Sequence, residues 1–122
     1  MKEIKKDFVH LHVHSDYSVL DGIAKISDYV KRAKELNTKA LAITEHGNLS
    51  STFQFITECN DAKIKPILGC EFYLRDDLIR DKKRNHIVAL ARNKKGWKQL
   101  LKLNHASFQD EAFYYNPSFV QT

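Results

Sequence analysis

The chain has 122 residues, of which 43% are hydrophobic and 29% charged, enough for one soluble globular domain and too few for two. No apolar run reaches the ~20 residues of a membrane span, and the charged residues 1–7 lead straight into Phe8 and Val9 with no signal-peptide core, so a cytoplasmic protein without a membrane partner is expected. Lysine and arginine exceed aspartate and glutamate by 20 to 15, a formal charge of +5 that permits an anionic partner such as DNA without requiring one.

Residues 8–13 alternate apolar and polar, as a strand does. Residues 27–36 have helical spacing, with Val30, Ala33 and Leu36 following Ile26 on one face. Asn37 suits the left-handed cap of that helix. Residues 39–44 read as a buried strand. A second helix is expected from about 51 to 62, with Phe53, Ile56 and Cys59 on its inner face. Residues 64–73 read as a strand, with Pro66 near its start. The charged stretch 75–85 reads as an exposed loop or hairpin, and 87–91 as a further strand. Trp97, Leu100, Leu101, Asn104 and Phe108 mark the inner stripe of a last helix. Strands alternating with helices predict an α/β fold with parallel strands and right-handed crossovers. Either a small doubly wound sheet or the first half of a βα barrel fits, and both gather chemistry at the carboxyl ends of the strands.

The first predicted strand carries His10, His12 and His14. Side chains two apart in a strand share a face, so the three imidazoles are expected to point one way and Val9, Leu11 and Val13 the other. Buried imidazoles need partners, and metal ligation supplies them. Asp16, Asp21 and Gly22 follow in the next loop. The second strand runs into Glu45-His46-Gly47 and the third reaches Glu71, so three successive strand ends each deliver His, Asp or Glu. One pocket of mixed nitrogen and oxygen donors is expected there, suited to zinc or manganese rather than magnesium alone. Plainer roles compete at each position. Asp21 before Gly22 is also a common turn residue, Glu45 a loop acid, and Glu71 a surface acid on an edge strand. Cys59 and Cys70 form no CxxC pair and read as reduced core thiols. His105 reads as a surface histidine, and Tyr17, Tyr114 and Tyr115 as half-buried aromatics or base-stacking groups. His86 opens its strand instead of ending it, so strand-end logic leaves it out.

Residues 8–22 resemble the opening motif of the polymerase and histidinol phosphatase (PHP) domain, in the form that begins the alpha subunit of bacterial DNA polymerase III. Residues 42–48 (Ala-Ile-Thr-Glu-His-Gly-Asn) resemble its second motif, and 64–72 its third. Residues 86–93, with Gly96 and Leu100, resemble the next, and 113–117 the segment after the following helix. The resemblance spans nearly the whole chain in family order. It implies that residues 1–122 are the amino-terminal part of a seven-stranded, TIM-like βα barrel that holds up to three divalent metal ions, zinc or manganese. Carried over motif by motif, the ligands are His12, His14, Asp21, His46, Glu71 and His86. His10 and Glu45 become supporting residues.

The implied activity is metal-dependent phosphoester hydrolysis, of the 3′–5′ exonuclease kind, in DNA replication. The implied partners are the remainder of a polymerase III alpha-type chain or a companion fragment, DNA and replisome proteins. Two departures bear on this. The family usually has Asp where this chain has Glu45, and the family's later Asp-x-His pair is missing from the 122 residues. The isolated chain is therefore expected to show little or no nuclease activity. The competing readings are a non-catalytic interaction module of a split or remnant polymerase and a free PHP-family phosphatase.

Overall fold

The computed structural model describes residues 8–75, 85–109 and 118–120, with backbone alone for Arg75 and 118–120. The element order is α1 (Ile26–Glu35), β1 (Ala40–Ile43), α2 (Thr52–Asp61), β2 (Lys65–Arg75), β3 (Asn85–Leu90), α3 (Lys94–Ser107) and β4 (Ser118–Val120). β2 is the spine of the sheet. β1 runs parallel to its first half, Ala40 opposite Lys65 and Ile43 opposite Leu68. β4 runs parallel to its end. β3 runs antiparallel along the other edge, from Gly69 opposite Leu90 to Leu74 opposite Asn85. The expectation that all strands lie parallel therefore fails at β3. A parallel neighbour needs a crossover of a dozen or more residues, and the stretch between β2 and β3 is shorter. No helix among the described residues is long and apolar enough to cross a membrane.

The first predicted strand is not a regular one. Residues 8–14 lie along β1, with Ala42 N–H donating to the His10 carbonyl (3.0 Å) and Thr44 N–H to that of Val13 (2.8 Å). Three residues on one side thus face two on the other, so one residue is extra. The Thr44 hydroxyl takes up the slack by accepting from Val13 N–H and donating to the Val13 carbonyl. An inserted residue breaks the alternation of side chains, and the expected single face of three imidazoles does not form. His12 and His14 stay neighbours, with ring centroids 4.8 Å apart. His10 instead meets the Phe8 ring edge-on at 4.8 Å.

α1 and α2 cover β1. Ile26, Val30 and Ala33 of α1 pack with Leu41 and Ile43, with Phe55 and Cys59 of α2, and with Ile64. Asn37 ends α1 at φ 56, as its capping role requires. Leu36 is exposed, and so is Phe53, because α2 buries the stripe Thr52, Phe55 and Cys59 in place of the expected one. Cys70 and Phe72 on the far side of β2 pack against Leu100 of α3. Because neighbours in a strand alternate, that packing turns Glu71 and Tyr73 to the opposite side.

Candidate metal centre

Glu71 is 1% exposed, and four imidazoles surround its carboxylate. His12 Nε2 lies 2.5 Å and His14 Nε2 3.2 Å from Oε2, while His86 Nδ1 lies 2.9 Å and His46 Nδ1 3.1 Å from Oε1. His46 Nε2 is 2.7 Å from Asp21 Oδ2. His14 and His46 stack, centroids 4.0 Å apart and planes 8° from parallel. Every one of the six residues expected as ligands thus enters one cluster. Two groups within it, His12–His14–Glu71 and His14–Asp21–His46, each bring donor atoms within 4.8 Å of one another. His10 joins neither group.

The backbone explains this convergence. His46 bridges directly to Glu71 as the continuation of the β1–β2 pairing. The antiparallel direction of β3 puts its first residues beside the end of β2, with His86 opposite Tyr73. His86 therefore reaches the site by opening its strand, for the reason that made it look misplaced in a parallel sheet. The Tyr29 hydroxyl of α1 donates to the His14 carbonyl at 2.9 Å. Asn104 of α3 donates to the Gly47 carbonyl at 2.9 Å, fixing the turn after His46, where Gly47 has φ 59.

Asp21 is delivered by a loop closed on itself. Ser18, Asp21 and Gly22 N–H groups bond back to Ser15 and Ser18 carbonyls. A Cβ on Gly22 would stand 1.9 Å from the Ser15 carbonyl oxygen, so only glycine fits there. Glu45, fully buried, locks the same loop from below. It accepts from Ser15 N–H at 2.9 Å and from the hydroxyls of Ser15 and Ser18. The Ser18 oxygen in turn accepts from His46 N–H at 3.1 Å. The Glu45 carboxylate bonds to the loop, while its backbone carbonyl accepts from Glu71 N–H at 3.0 Å.

The electrostatics suit a cation. Burial pushes the Glu71 carboxyl upward, but the His12 hydrogen bond and the charges of His46, His86 and His14 outweigh it and hold the group below its ordinary 4.5. His14 is lowered from 6.5, first by burial and then by His46 and His12, against the pull of Glu71 and Asp21. A neutral imidazole is the form that binds metal. Glu71 Oε1 and His14 Nδ1 are buried without a hydrogen-bond partner. His46 and His86 approach Oε1 closely, but not along directions that make hydrogen bonds. A buried acceptor left this way costs about 1–3 kcal/mol, and a divalent ion among these donors would remove the cost at Oε1.

Tyr73 escaped the sequence reading. Its hydroxyl is 2.7 Å from His46 Nδ1. The signal was its position two residues after Glu71, on the same face of one strand. The two thiols are free and buried, as the core reading expects. Burial first, and then nearby carboxylates, push Cys59 up to about 11 and Cys70 to about 12. An aromatic disulfide reagent is expected to leave both untouched in the folded chain and to titrate both in denaturant. Rapid labelling of the folded chain would contradict their burial.

A mixed α/β fold thus carries a buried glutamate ringed by histidines, a donor set that could hold a metal ion. The PHP domain profile matches residues 10–122, and the chain belongs to the PHP domain family. Its relatives include the DNA polymerase III subunit alpha of Borreliella burgdorferi, 48% identical over 119 residues, covering 90% of this chain and 10% of the relative. That of Aquifex aeolicus is 40% identical over 126 residues, covering 93% and 11%. The chain thus spans about a tenth of the length of these relatives. Among solved structures, a predicted metal-dependent phosphoesterase from Bifidobacterium adolescentis matches with a TM-score of 0.57 at 18% identity, covering 82% of this chain and 34% of the other. An amidohydrolase from Chromobacterium violaceum, solved with bound sulfate and no metal, gives 0.58 at 20% identity with the same coverage. At such identities these two speak for the fold alone.

Proposed function

We propose that residues 1–122 are the amino-terminal portion of a seven-stranded PHP barrel from a DNA polymerase III alpha-type protein, and that their site serves phosphoester hydrolysis. The observation that carries this reading is one buried carboxylate, Glu71, meeting imidazoles from three separate stretches of chain. His12, His14 and Glu71 would hold a divalent ion, or His14, Asp21 and His46 would, with His14 giving its one free lone pair to either, and His86 stands at the Glu71 edge. Zinc and manganese fit these donors. When bound, such ions supply Lewis-acid activation of water and neutralise phosphate charge. The chain's own contribution is orientation. Glu71 orders the imidazoles around it, Asp21 presents an exposed carboxylate at the mouth, and the buried Glu45 network keeps that loop in place. Among the described residues we assign no further side chain the part of a separate general base. The substrate class is a phosphodiester, with 3′–5′ removal of nucleotides from DNA as the reaction, in a cytoplasmic replication assembly.

The test is calorimetric titration of the chain with zinc and with manganese, beside His12→Ala and His14→Ala. We expect each substitution to weaken binding at least ~10-fold, with His14→Ala the worse because it enters both donor groups. Binding indifferent to both substitutions would sink the assignment.

A further inference from the structure

We propose that Tyr73 is a positioning residue that selects which nitrogen of His46 faces the metal site. The inference deepens the metal-centre reading and rests on it. His46 has two competing outlets. Its Nε2 points to Asp21 Oδ2 at 2.7 Å, within the donor group shared with His14. Its Nδ1 lies 3.1 Å from Glu71 Oε1 and 2.7 Å from the Tyr73 hydroxyl. Without the hydroxyl, Nδ1 and Nε2 would each lie beside a carboxylate, and the proton could sit on either nitrogen.

Tyr73 breaks that near-symmetry in two ways. Its ring is parallel to that of His46, 2° apart in plane with centroids at 6.3 Å, while His14 stacks on His46 at 4.0 Å. It also meets His86 edge-on at 4.9 Å, so one half-buried ring braces two of the imidazoles around Glu71. The hydroxyl adds direction to that brace, because a phenol both donates and accepts. With Nε2 protonated toward Asp21, Tyr73 Oη donates to Nδ1. With Nε2 given to a metal ion, the proton sits on Nδ1 and Oη accepts it. Tyr73 therefore satisfies Nδ1 in both tautomers and leaves Nε2 as the ligating atom. A partner on the non-ligating nitrogen is how ligand orientation and basicity are set.

The test uses the full chain and Tyr73→Phe, which keeps the ring and removes only the oxygen. Long-range ¹H–¹⁵N spectra of the histidine side chains report the tautomer of His46 with and without zinc. Zinc affinity is measured in parallel, and circular dichroism checks the fold. In the metal-free wild type we expect one His46 tautomer, protonated at Nε2, and in Tyr73→Phe a mixture. With zinc, the variant should bind about 10-fold more weakly and show His46 ligation divided between the two nitrogens. An unchanged metal-free tautomer in Tyr73→Phe overturns the proposal whether or not zinc binds. So does Nε2-only ligation with affinity within about twofold of wild type. A wild-type chain in which zinc shifts none of His12, His14 and His46 would sink the metal reading separately, and the metal-free spectra would still decide the role of Tyr73. Should the Phe variant unfold, Tyr73→Trp, which keeps an aromatic brace without a hydroxyl at that place, takes its position in the same comparison.

Discussion

Glu71→Gln is expected to erase most of the stabilisation that zinc confers while leaving the metal-free fold nearly intact. The glutamine has the same shape and still accepts through one oxygen, so the metal-free cost is about that of a single hydrogen bond, ~1 kcal/mol. Metal affinity is a different matter. Both carboxylate oxygens are engaged, one toward His12 and His14 and the other toward His46 and His86, and a neutral amide offers a cation only one weak donor. Loss of supporting partners around metal ligands already costs about 10–100-fold, so 100-fold is a floor for the carboxylate. A ligand at 1,000 times its Kd adds about 4 kcal/mol of stability, and at 10 times about 1.4. The zinc-induced gain in unfolding free energy should thus fall by more than half at a fixed zinc concentration. Equal zinc-induced shifts in wild type and variant would remove Glu71 from the site. The acid limb gives a second reading. The folded values of His14 and Glu71 lie below 6.5 and 4.5 respectively, so in both cases the unfolded chain takes up protons first. Metal-free stability therefore declines as pH falls below about 6.5 and again below about 4.5. In Glu71→Gln the second decline should be shallower by the contribution of Glu71.

The alternation of βα segments was legible because each helix and strand has a strong apolar period, and the helices moved by one residue or so from their expected bounds. What periodicity alone left open was strand direction. The charged stretch 75–85 allows a loop or a hairpin and lies mostly outside the described residues, and a parallel reading of the strands that flank it makes His86 look misplaced. Motif resemblance groups His86 with the other candidate ligands, and the antiparallel run of β3 is what brings it beside Glu71. The imidazole face at residues 10–14 was over-read, since strict alternation assumes a regular strand and the Thr44 hydroxyl bonds where one residue is extra. The α2 face was misjudged because Phe53 outranks Thr52 in hydropathy, yet Thr52 is the one on the Phe55–Cys59 stripe. Glu45 was legible as a supporting residue, but the serines it holds were not. Ser15 and Ser18 carry no pattern in sequence, and only the folded loop brings their hydroxyls to one carboxylate.

Those serines make Glu45 the position where a single change should cost the fold most. Its carboxylate is 1% exposed and takes a backbone N–H and a hydroxyl from Ser15 and a hydroxyl from Ser18. Glu45→Ala would leave the Ser15 amide and two buried hydroxyls without their acceptor. At about 1–3 kcal/mol for each unsatisfied group, the expected loss is at least ~3 kcal/mol, a large share of the 5–15 kcal/mol that holds a typical domain together. Glu45→Gln tests the mechanism. Oε2 carries both the Ser15 amide and the Ser18 hydroxyl, and an amide oxygen there keeps both bonds. The amide nitrogen at the Oε1 place then donates to Ser15 Oγ, which reverses its role. The cost should be about 1 kcal/mol, and zinc binding should survive. The alanine variant should lose zinc affinity as well as stability, because Asp21 and the His46 N–H both hang on the same loop through Ser18. Chemical denaturation of the three chains reads the first effect and zinc titration the second. An alanine variant as stable as the glutamine one would mean that the loop stands without Glu45, and that the acid before His46 is only a loop residue after all.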